Sequence, residues 1–205
     1  MNMFREVQLA GVRTSGRNET RRAVLDAADR LFHERGFQAT TVRDIARKAG
    51  VSTGTVMSVG DKEALLVELF DGLIAERQAQ ADVQNYAVDA RSGADAVAVV
   101  QPFAALFDER RSLAQAYASI LVSGRHTSVV FTDLAQRLTA VFQQVITACG
   151  CSNASEAVKR AEALHAAYIG SLFIWAATPE TSAQQFLTQL RDIFAAICPH
   201  TGGNS

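Results

Sequence analysis

Apolar residues recur every three or four positions along most of the chain, which is the spacing of one face of an α-helix. A short example is the segment 42–49, where Val42, Ile45, Ala46 and Ala49 stand at i, i+3, i+4 and i+7. No run alternates apolar and polar residues as a half-buried β-strand would. The pattern therefore predicts an all-α protein of about nine helices.

The predicted helices cover approximately residues 18–35, 42–49, 53–59, 61–82, 94–108, 111–123, 128–149, 155–177 and 180–197. Pro102 interrupts the fifth of them, and a proline there predicts a kink, a break or a pocket because it removes a backbone donor. Thr178 and Pro179 are predicted to begin the ninth helix as its cap and first-turn residue.

The second and third helices are joined by a very short connection. Thr41 and Asp44 have the spacing of a capping box at the start of the second helix. Gly50 can end that helix in the left-handed conformation, and Ser52 can cap the next one. A connection of about three residues is typical of a helix-turn-helix, because it fixes the angle between the two helices.

The third helix, Thr53 to Val59, is short, uncharged and rich in small hydrogen-bonding residues. A buried helix would carry more apolar residues, and an exposed one would normally carry charges. Its hydroxyls and methyls suit the base edges of a DNA major groove, while the flanking Arg43, Arg47, Lys48 and Lys62 suit phosphates. Residues 1–15 hold Arg5 and Arg13, and two alternatives stay open: a disordered tail, or an arm that reaches DNA.

At these positions the sequence resembles the tetracycline-repressor (TetR) family of bacterial regulators. The shared signature runs through Ala27, Ala28, Leu31, Phe32, Gly36, Phe37, Thr41, Val42, Ile45, Ala46, Ala49, Gly50, Val51, Ser52, Gly54, Thr55, Lys62, Glu63 and Leu65. The resemblance implies an N-terminal three-helix DNA-binding domain, a C-terminal helical ligand-binding and dimerisation domain, and a homodimer on a palindromic double-stranded DNA operator. We assign residues 1–60 to the first domain and 61–205 to the second.

The residues expected at the DNA come partly from the helix and partly from the resemblance. Ser52, Thr53, Thr55 and Ser58, with Gly54 between them, are expected to face the DNA. Arg43 is expected on a base or a phosphate, and Thr41 and Lys62 on phosphates. One departure concerns Met57, which stands where the family usually has Tyr, with one residue fewer before Lys62. We expect the third helix to end early, with a tight turn at Gly60.

Charge is unevenly distributed along the chain. Residues 1–60 hold ten Arg and Lys against six Asp and Glu, a net charge of +4, whereas residues 61–205 hold ten against fifteen, a net charge of −5. The net charge of −1 therefore hides a basic N-terminal part. Because attraction to phosphates depends on the local field, this asymmetry is compatible with nucleic-acid binding.

The C-terminal part offers aromatic residues for a small-molecule site. The candidate lining residues are Phe103, Phe107, Tyr117, His126, Phe131, Phe142, Tyr168 and Trp175. Few charges fall among them, so we expect a neutral, mainly apolar effector, with Tyr117, His126 and Tyr168 as polar contacts. The alternative is that these rings form plain core, as aromatic residues at helical spacing often do.

The last two helices carry more apolar surface than one hairpin buries. The candidate dimer-interface residues are Leu164, Ala167, Gly170, Ser171, Phe186, Leu190 and Phe194. Two such hairpins would form a four-helix bundle between subunits, which is the family's usual arrangement. Burial of the same residues within one subunit is the alternative.

Catalytic, metal and cofactor sites are not predicted. The histidines are scattered, and Cys149, Cys151 and Cys198 lack metal-ligand spacing, so we expect free thiols in a reducing cytoplasm. The most apolar segment, 163–177, is shorter than a membrane span, and no signal peptide is evident. The sequence thus predicts a cytoplasmic, ligand-responsive repressor rather than an enzyme. The alternative is a dimeric scaffold or small-molecule-binding protein whose degenerate head no longer binds DNA.

Overall fold

The computed structural model describes residues 3–80, 92–150, 152–178 and 180–199, and for residues 3–15 the backbone alone. The described residues form nine α-helices and no β-strand, which confirms the predicted all-α class. The helices are α1 (Met3–Arg35), α2 (Val42–Ala49), α3 (Thr53–Val59), α4 (Lys62–Gln80), α5 (Val97–Glu109), α6 (Arg111–Val122), α7 (Val129–Ala148), α8 (Ala154–Ala177) and α9 (Ala183–Ile197). A 3₁₀ turn, Gly93–Ala96, precedes α5.

Helices α2 and α3 have the bounds that the sequence predicts, whereas α1 starts earlier. It begins at Met3 rather than near Asn18. Residues 3–17 contain no proline, and seven of the fifteen are Arg, Glu, Gln, Leu or Ala, which favour helix. A contact between the arginines of this segment and DNA stays a prediction.

The predicted break at Pro102 and the predicted start of α9 are wrong, whereas a kink or a pocket at Pro102 stays a prediction. Helix α5 continues through Pro102 without a break. Helix α9 starts at Ala183 with Ser182 as its cap, not at Thr178 and Pro179, because Ser182 and Gln185 cap each other. The Gln185 backbone N–H donates to Ser182 Oγ at 3.3 Å, and the Ser182 backbone N–H donates to Gln185 Oε1 at 2.9 Å. This capping box satisfies two amides that would otherwise lack a partner, which a Thr-Pro pair cannot do as well. Pro179 itself lies outside the described residues.

The chain divides into two compact units, and we call the first the head unit. It consists of Met1–Phe70 and Ser112–Thr127. Its core contains side chains that are at most 2% exposed: Val24, Leu31, Phe32, Ile45, Val56 and Leu65. Each such burial stabilises the fold by roughly 1.5–3 kcal/mol relative to an exposed side chain. Phe37 packs on Phe32 with ring centroids 5.3 Å apart, as predicted for the residue that closes this core.

The second compact unit, which we call the body unit, consists of Asp71–Arg111 and Ser128–Ser205. Within it α7 packs on α8, and α9 packs on both α8 and α5. Stacked rings fill the core: Trp175 and Phe186 lie 4.5 Å apart, and Phe142 meets Phe194 edge-on at 5.5 Å. The boundary that the sequence suggests at residue 60, between a DNA-binding and a ligand-binding domain, stays a prediction.

Cysteine chemistry differs from the expectation of three free thiols. Cys198 is buried and free, whereas Cys149 is disulfide-bonded. Among the described helices, none combines the length and apolar character that a bilayer crossing needs.

Candidate functional site

A capping box fixes the start of α2. Thr41 Oγ1 accepts a hydrogen bond from the Asp44 amide at 3.2 Å, and the Thr41 amide donates to Asp44 Oδ2 at 3.2 Å. The Thr41 hydroxyl also donates to the same oxygen at 2.6 Å. These hydrogen bonds from Thr41 lower the pKa of the Asp44 carboxyl, so the carboxylate is charged at neutral pH. The predicted capping box is confirmed, and the exposed Thr41 is held within it.

Three residues, Gly50 to Ser52, connect α2 to α3. Gly50 has φ +69°, in the left-handed region that favours glycine, and its amide donates to the Ala46 carbonyl. Ser52 Oγ then accepts from the Thr55 amide at 3.0 Å and caps α3. Because the connection is so short, it fixes the orientation of α3 relative to α2. It thereby determines which face of α3 points outward.

Helix α3 buries one side chain and exposes its small polar residues. Val56 is fully buried, while Ser52, Thr53, Gly54 and Ser58 are exposed and Thr55 is half-buried. The Ser58 hydroxyl donates to the Thr55 carbonyl at 2.7 Å, so it is tied to its own helix. The Thr53 hydroxyl makes no hydrogen bond within the described residues. The structure thus presents the predicted polar face outward, with Thr53 as its most available hydroxyl.

The positively charged side chains around α3 differ in whether they pair with a carboxylate. Lys48 lies 2.8 Å from Glu34, and Arg47 pairs with Asp44. Such exposed pairs contribute little to stability because water screens them, so phosphates could replace the carboxylates. Arg43 is exposed and makes no hydrogen bond or ion pair with the described residues. It is therefore the cation of α2 that is most accessible to an anion.

Lys62 is directed towards the end of α1. Its Nζ donates to the Phe37 carbonyl at 3.1 Å and lies 4.3 Å above the centre of the Phe37 ring. The side chain is half-buried. The predicted phosphate ligand is thus also a structural contact of the head unit.

The link between α3 and α4 is as short as the sequence predicts. Gly60 ends α3 in an extended conformation, and its amide donates to the Val56 carbonyl. A Cβ atom on Gly60 would lie 3.1 Å from the Ala64 Cβ, which is closer than ordinary contact. Asp61 Oδ1 then accepts from the Ala64 amide at 2.8 Å at the start of α4. Met57, which precedes this link, is 53% exposed.

Residues of the α6–α7 turn contact the start of α4 inside the head unit. Arg125 lies 3.0 Å from Glu63, and His126 Nε2 lies 3.5 Å from Asp61 and 3.6 Å from Glu63. Tyr117 stacks on Phe70 at 4.6 Å. Tyr117 and His126, two of the predicted ligand residues, therefore belong to the head unit.

The other six predicted ligand residues belong to the body unit. Five of them, Phe103, Phe107, Phe142, Tyr168 and Trp175, are buried, and Phe131 is half-buried. Trp175 Nε1 donates to the Thr181 carbonyl at 2.7 Å, so its polar atom is already used. The Tyr168 hydroxyl makes no hydrogen bond within the described residues, and burial raises its pKa. A role in ligand binding stays a prediction for all of them.

Sequence reasoning missed three further polar groups of the body unit, those of Gln78, Ser152 and His165. The atoms Gln78 Nε2, Ser152 Oγ and His165 Nε2 are buried without a hydrogen-bond partner in the described residues. Burial lowers the pKa of His165, which favours the neutral imidazole. His165 precedes Tyr168 by three residues, and that spacing on one helix face is the signal that could have found it.

The predicted dimer-interface residues fall into two groups. Leu164, Phe186, Leu190 and Phe194 are buried within the single chain. Ala167 and Ser171 are half-buried, and Gly170 is exposed. The large apolar side chains that remain accessible on α8 and α9 are Ile174 at 71%, Phe173 at 44%, Val158 at 40% and Ile193 at 38%. The four buried residues pack within this subunit, and a dimer interface on α8 and α9 stays a prediction.

The head sequence also has relatives among characterised proteins. Residues 24–69 match the family model described as bacterial regulatory proteins, tetR family. The HTH-type transcriptional repressor KstR2 of Rhodococcus jostii (strain RHA1) is 45% identical over 62 residues, which are 30% of this chain and 30% of that protein. The chain therefore matches less than two thirds of this relative's own length. That relative is a transcriptional repressor.

Solved structures match over most of the chain. The Thermus thermophilus repressor FadR, solved with lauroyl-CoA, has a TM-score of 0.59 at 22% identity and covers 85% of this chain and 92% of that one. SmeT, the repressor of an efflux pump in Stenotrophomonas maltophilia, has a TM-score of 0.58 at 20% identity, over 87% and 91% of the two chains. These likenesses show a common fold. Residues 24–69 thus match the tetR family of bacterial regulatory proteins in sequence, and the chain shares the fold of these solved repressors.

Proposed function

We propose that the protein is a transcriptional repressor that binds double-stranded DNA through α3 and releases it when a small, mainly apolar molecule binds the body unit. The observation that carries the proposal is the outward polar face of α3. A short turn and the buried Val56 hold Thr53 and Gly54 at the surface, where a major groove can approach them closely.

Charge supports the same assignment. Arg43 is accessible and unpaired among the described residues, and the exposed pairs of Arg47 and Lys48 can open at small cost. Phosphate binding by such side chains releases counterions, so the complex is expected to weaken as salt rises. Because its target is chromosomal DNA, we infer that the protein acts in the cytoplasm.

The body unit supports an effector that is mostly apolar. Its core is rich in aromatic rings, and the unpartnered polar atoms of Gln78, His165 and Tyr168 could orient a neutral group of a ligand. FadR, which shares the fold, was solved with lauroyl-CoA. Helix α4 contributes residues to both units, since the division falls between Phe70 and Asp71. A ligand that favours one arrangement of α4 would lower DNA affinity by a coupling free energy.

We infer a homodimer formed through α8 and α9. Gly170, Phe173 and Ile174 leave one side of α8 small or apolar and accessible, which is the kind of surface that close helix packing buries. Two such heads on a palindromic operator would place their α3 helices about 34 Å apart, one turn of DNA.

The function is tested by DNA selection and titration. Purified full-length protein is incubated with a random duplex pool and with the DNA that flanks its own gene, and bound duplexes are titrated at two salt concentrations. We expect a sequence-selective complex that weakens with salt. Arg43→Ala should reduce affinity by about 1–3 kcal/mol without changing the oligomeric state.

A matched control removes the same charge elsewhere. Arg137 is exposed on α7 of the body unit, so Arg137→Ala should leave DNA affinity nearly unchanged. If the folded protein formed no salt-sensitive complex with any duplex, the repressor proposal would fail. A dimeric scaffold with a head that does not bind DNA would then be favoured.

A further inference from the structure

Met57 is exceptional among the apolar residues of the head unit's N-terminal part. Between residues 16 and 70, it is the one large apolar side chain that is more than a third exposed, at 53%. Every other large apolar side chain in that range is buried or half-buried. A single exposed apolar side chain is ordinary on a protein surface, so it is the position of Met57 on α3, beside the exposed polar residues, that suggests a role.

The surroundings of Met57 leave it free to reach outward. Thr53 and Gly54 precede it by four and three residues, so they are its neighbours on the helix surface. Both are exposed and small. Val56 points into the core, and Gly60 carries no side chain. Met57 is therefore the longest side chain on the outward face of α3.

The chemistry of a thioether decides which part of DNA it can contact. Phosphate oxygens accept hydrogen bonds, but a methionine has no donor to offer them. Base edges in the major groove are mostly polar donors and acceptors, with one apolar exception, the C5 methyl group of thymine. An unbranched, flexible side chain can adapt its position to such a methyl group. The thymine methyl is thus the partner that an outward Met57 fits.

We propose that Met57 contacts a thymine methyl group in the major groove and so gives the protein a preference for thymine at one position of each half-site. The inference rests on the proposed function, because it requires α3 to enter the groove. The other residues on this face of α3 are glycine and residues with hydroxyl groups. Met57 would add a residue that selects the DNA sequence.

The test replaces thymines one at a time by deoxyuridine in a duplex selected by the full-length protein. This change removes the methyl group and keeps the base pair. Loss of one buried methyl corresponds to about 0.8 kcal/mol, or about a fourfold weaker complex. We expect one such thymine in each half-site for the native protein. With Met57→Ala the same replacement should have no effect, whereas Met57→Leu should keep part of it.

Two controls make the result decisive. Val129 is a 73% exposed apolar side chain on α7, so Val129→Ala should leave the deoxyuridine profile of the native protein unchanged. Thermal unfolding of each variant verifies that it is folded. If the native protein binds a selected duplex but no thymine shows a Met57-dependent effect, this inference is wrong and the repressor proposal stands. If no duplex is bound at all, the proposed function fails, and the role of Met57 fails with it.

Discussion

Lys62 Nζ donates a hydrogen bond to the Phe37 carbonyl at 3.1 Å and lies 4.3 Å above the Phe37 ring. The two residues join the first turn of α4 to the end of α1. Phe37 in turn packs on Phe32 in the core of the head unit. The lysine that the family resemblance assigns to a phosphate therefore also stabilises the unit that presents α3.

The variant Lys62→Met separates these two roles. Methionine keeps an apolar stem over the ring but removes the charge and the donor. Loss of a hydrogen bond and a cation–π contact should reduce the free energy of unfolding by about 1–2 kcal/mol, as measured by urea denaturation. If Lys62 also meets a phosphate, the slope of log affinity against log salt should fall by about 0.9. An unchanged salt slope would restrict Lys62 to its structural role.

Gly54 should show opposite effects on stability and on DNA binding. It lies in α3 with ordinary helical φ, and the nearest atom to an added Cβ is Ser52 Oγ at 3.6 Å, so there is room. Gly54→Ala should therefore stabilise the head unit by up to about 1 kcal/mol, because alanine loses less backbone entropy. The added methyl faces outward, where the groove must come close, so DNA affinity should fall.

Gly60→Ala is the matched comparison for that variant. There the new Cβ would lie 3.1 Å from the Ala64 Cβ, so the α3–α4 link must shift by a few tenths of an ångström. We expect lower stability for Gly60→Ala and higher stability for Gly54→Ala, measured by thermal unfolding. If Gly54→Ala bound selected DNA as well as the native protein, close approach at that position would be excluded.

Local capping signals made the helix-turn-helix predictable, whereas two competing signals explain the error at the start of α9. The bounds of α2 and α3 follow from Thr41, Gly50 and Ser52, each of which acts on its own neighbours. The start of α9 was mistaken because two cap signals lie close together, and the one at Ser182 forms the reciprocal hydrogen bonds. Which of the two signals caps the helix depends on three-dimensional geometry, which the order of the residues does not reveal.

Tertiary placement was harder to predict than helix position. Helical spacing cannot tell that His126 lies beside Asp61 and Glu63 in the head unit, since those residues are far apart in sequence. The same limit applies to α8, where both sides are apolar and periodicity alone does not show which side meets α9. Leu164 turned out to face inward, and Ile174 outward.

Ile174 is the residue with which to test the proposed dimer. It is 71% exposed on α8, so a charge there should not disturb the fold of one chain. In a packed interface, however, a buried unpaired lysine would cost several kcal/mol. Ile174→Lys should therefore shift the protein from dimer to monomer in sedimentation velocity.

Val129→Lys provides the matched control for the dimer experiment, because Val129 is 73% exposed on α7. It introduces the same charge in place of a similar side chain and should leave the dimer intact. A native protein that sediments as a monomer, or an Ile174→Lys variant that remains dimeric, would contradict an interface at this part of α8.

The half-buried imidazole of His165 predicts a pH dependence of stability in the body unit. Burial lowers the pKa of His165 below its ordinary value of 6.5. Just below that value the unfolded chain binds a proton that the folded chain does not, so protonation favours unfolding. The stabilising contribution is complete above pH 6.5 and is lost as pH falls through the folded-state pKa. The lowered pKa values of Asp44 and Glu34 make stability depend on pH only in a more acidic range.

The chain's single tryptophan, Trp175, is buried in the body unit and reports the unfolding of that unit by fluorescence. We expect the urea midpoint of the native protein to fall between about pH 7 and about pH 5, the range in which a histidine with a lowered pKa titrates. His165→Gln should reduce that fall, because glutamine does not titrate. His33→Gln, at an exposed position of α1, should leave it unchanged. An equal fall in the native protein and in His165→Gln would show that acid acts on this unit through other groups.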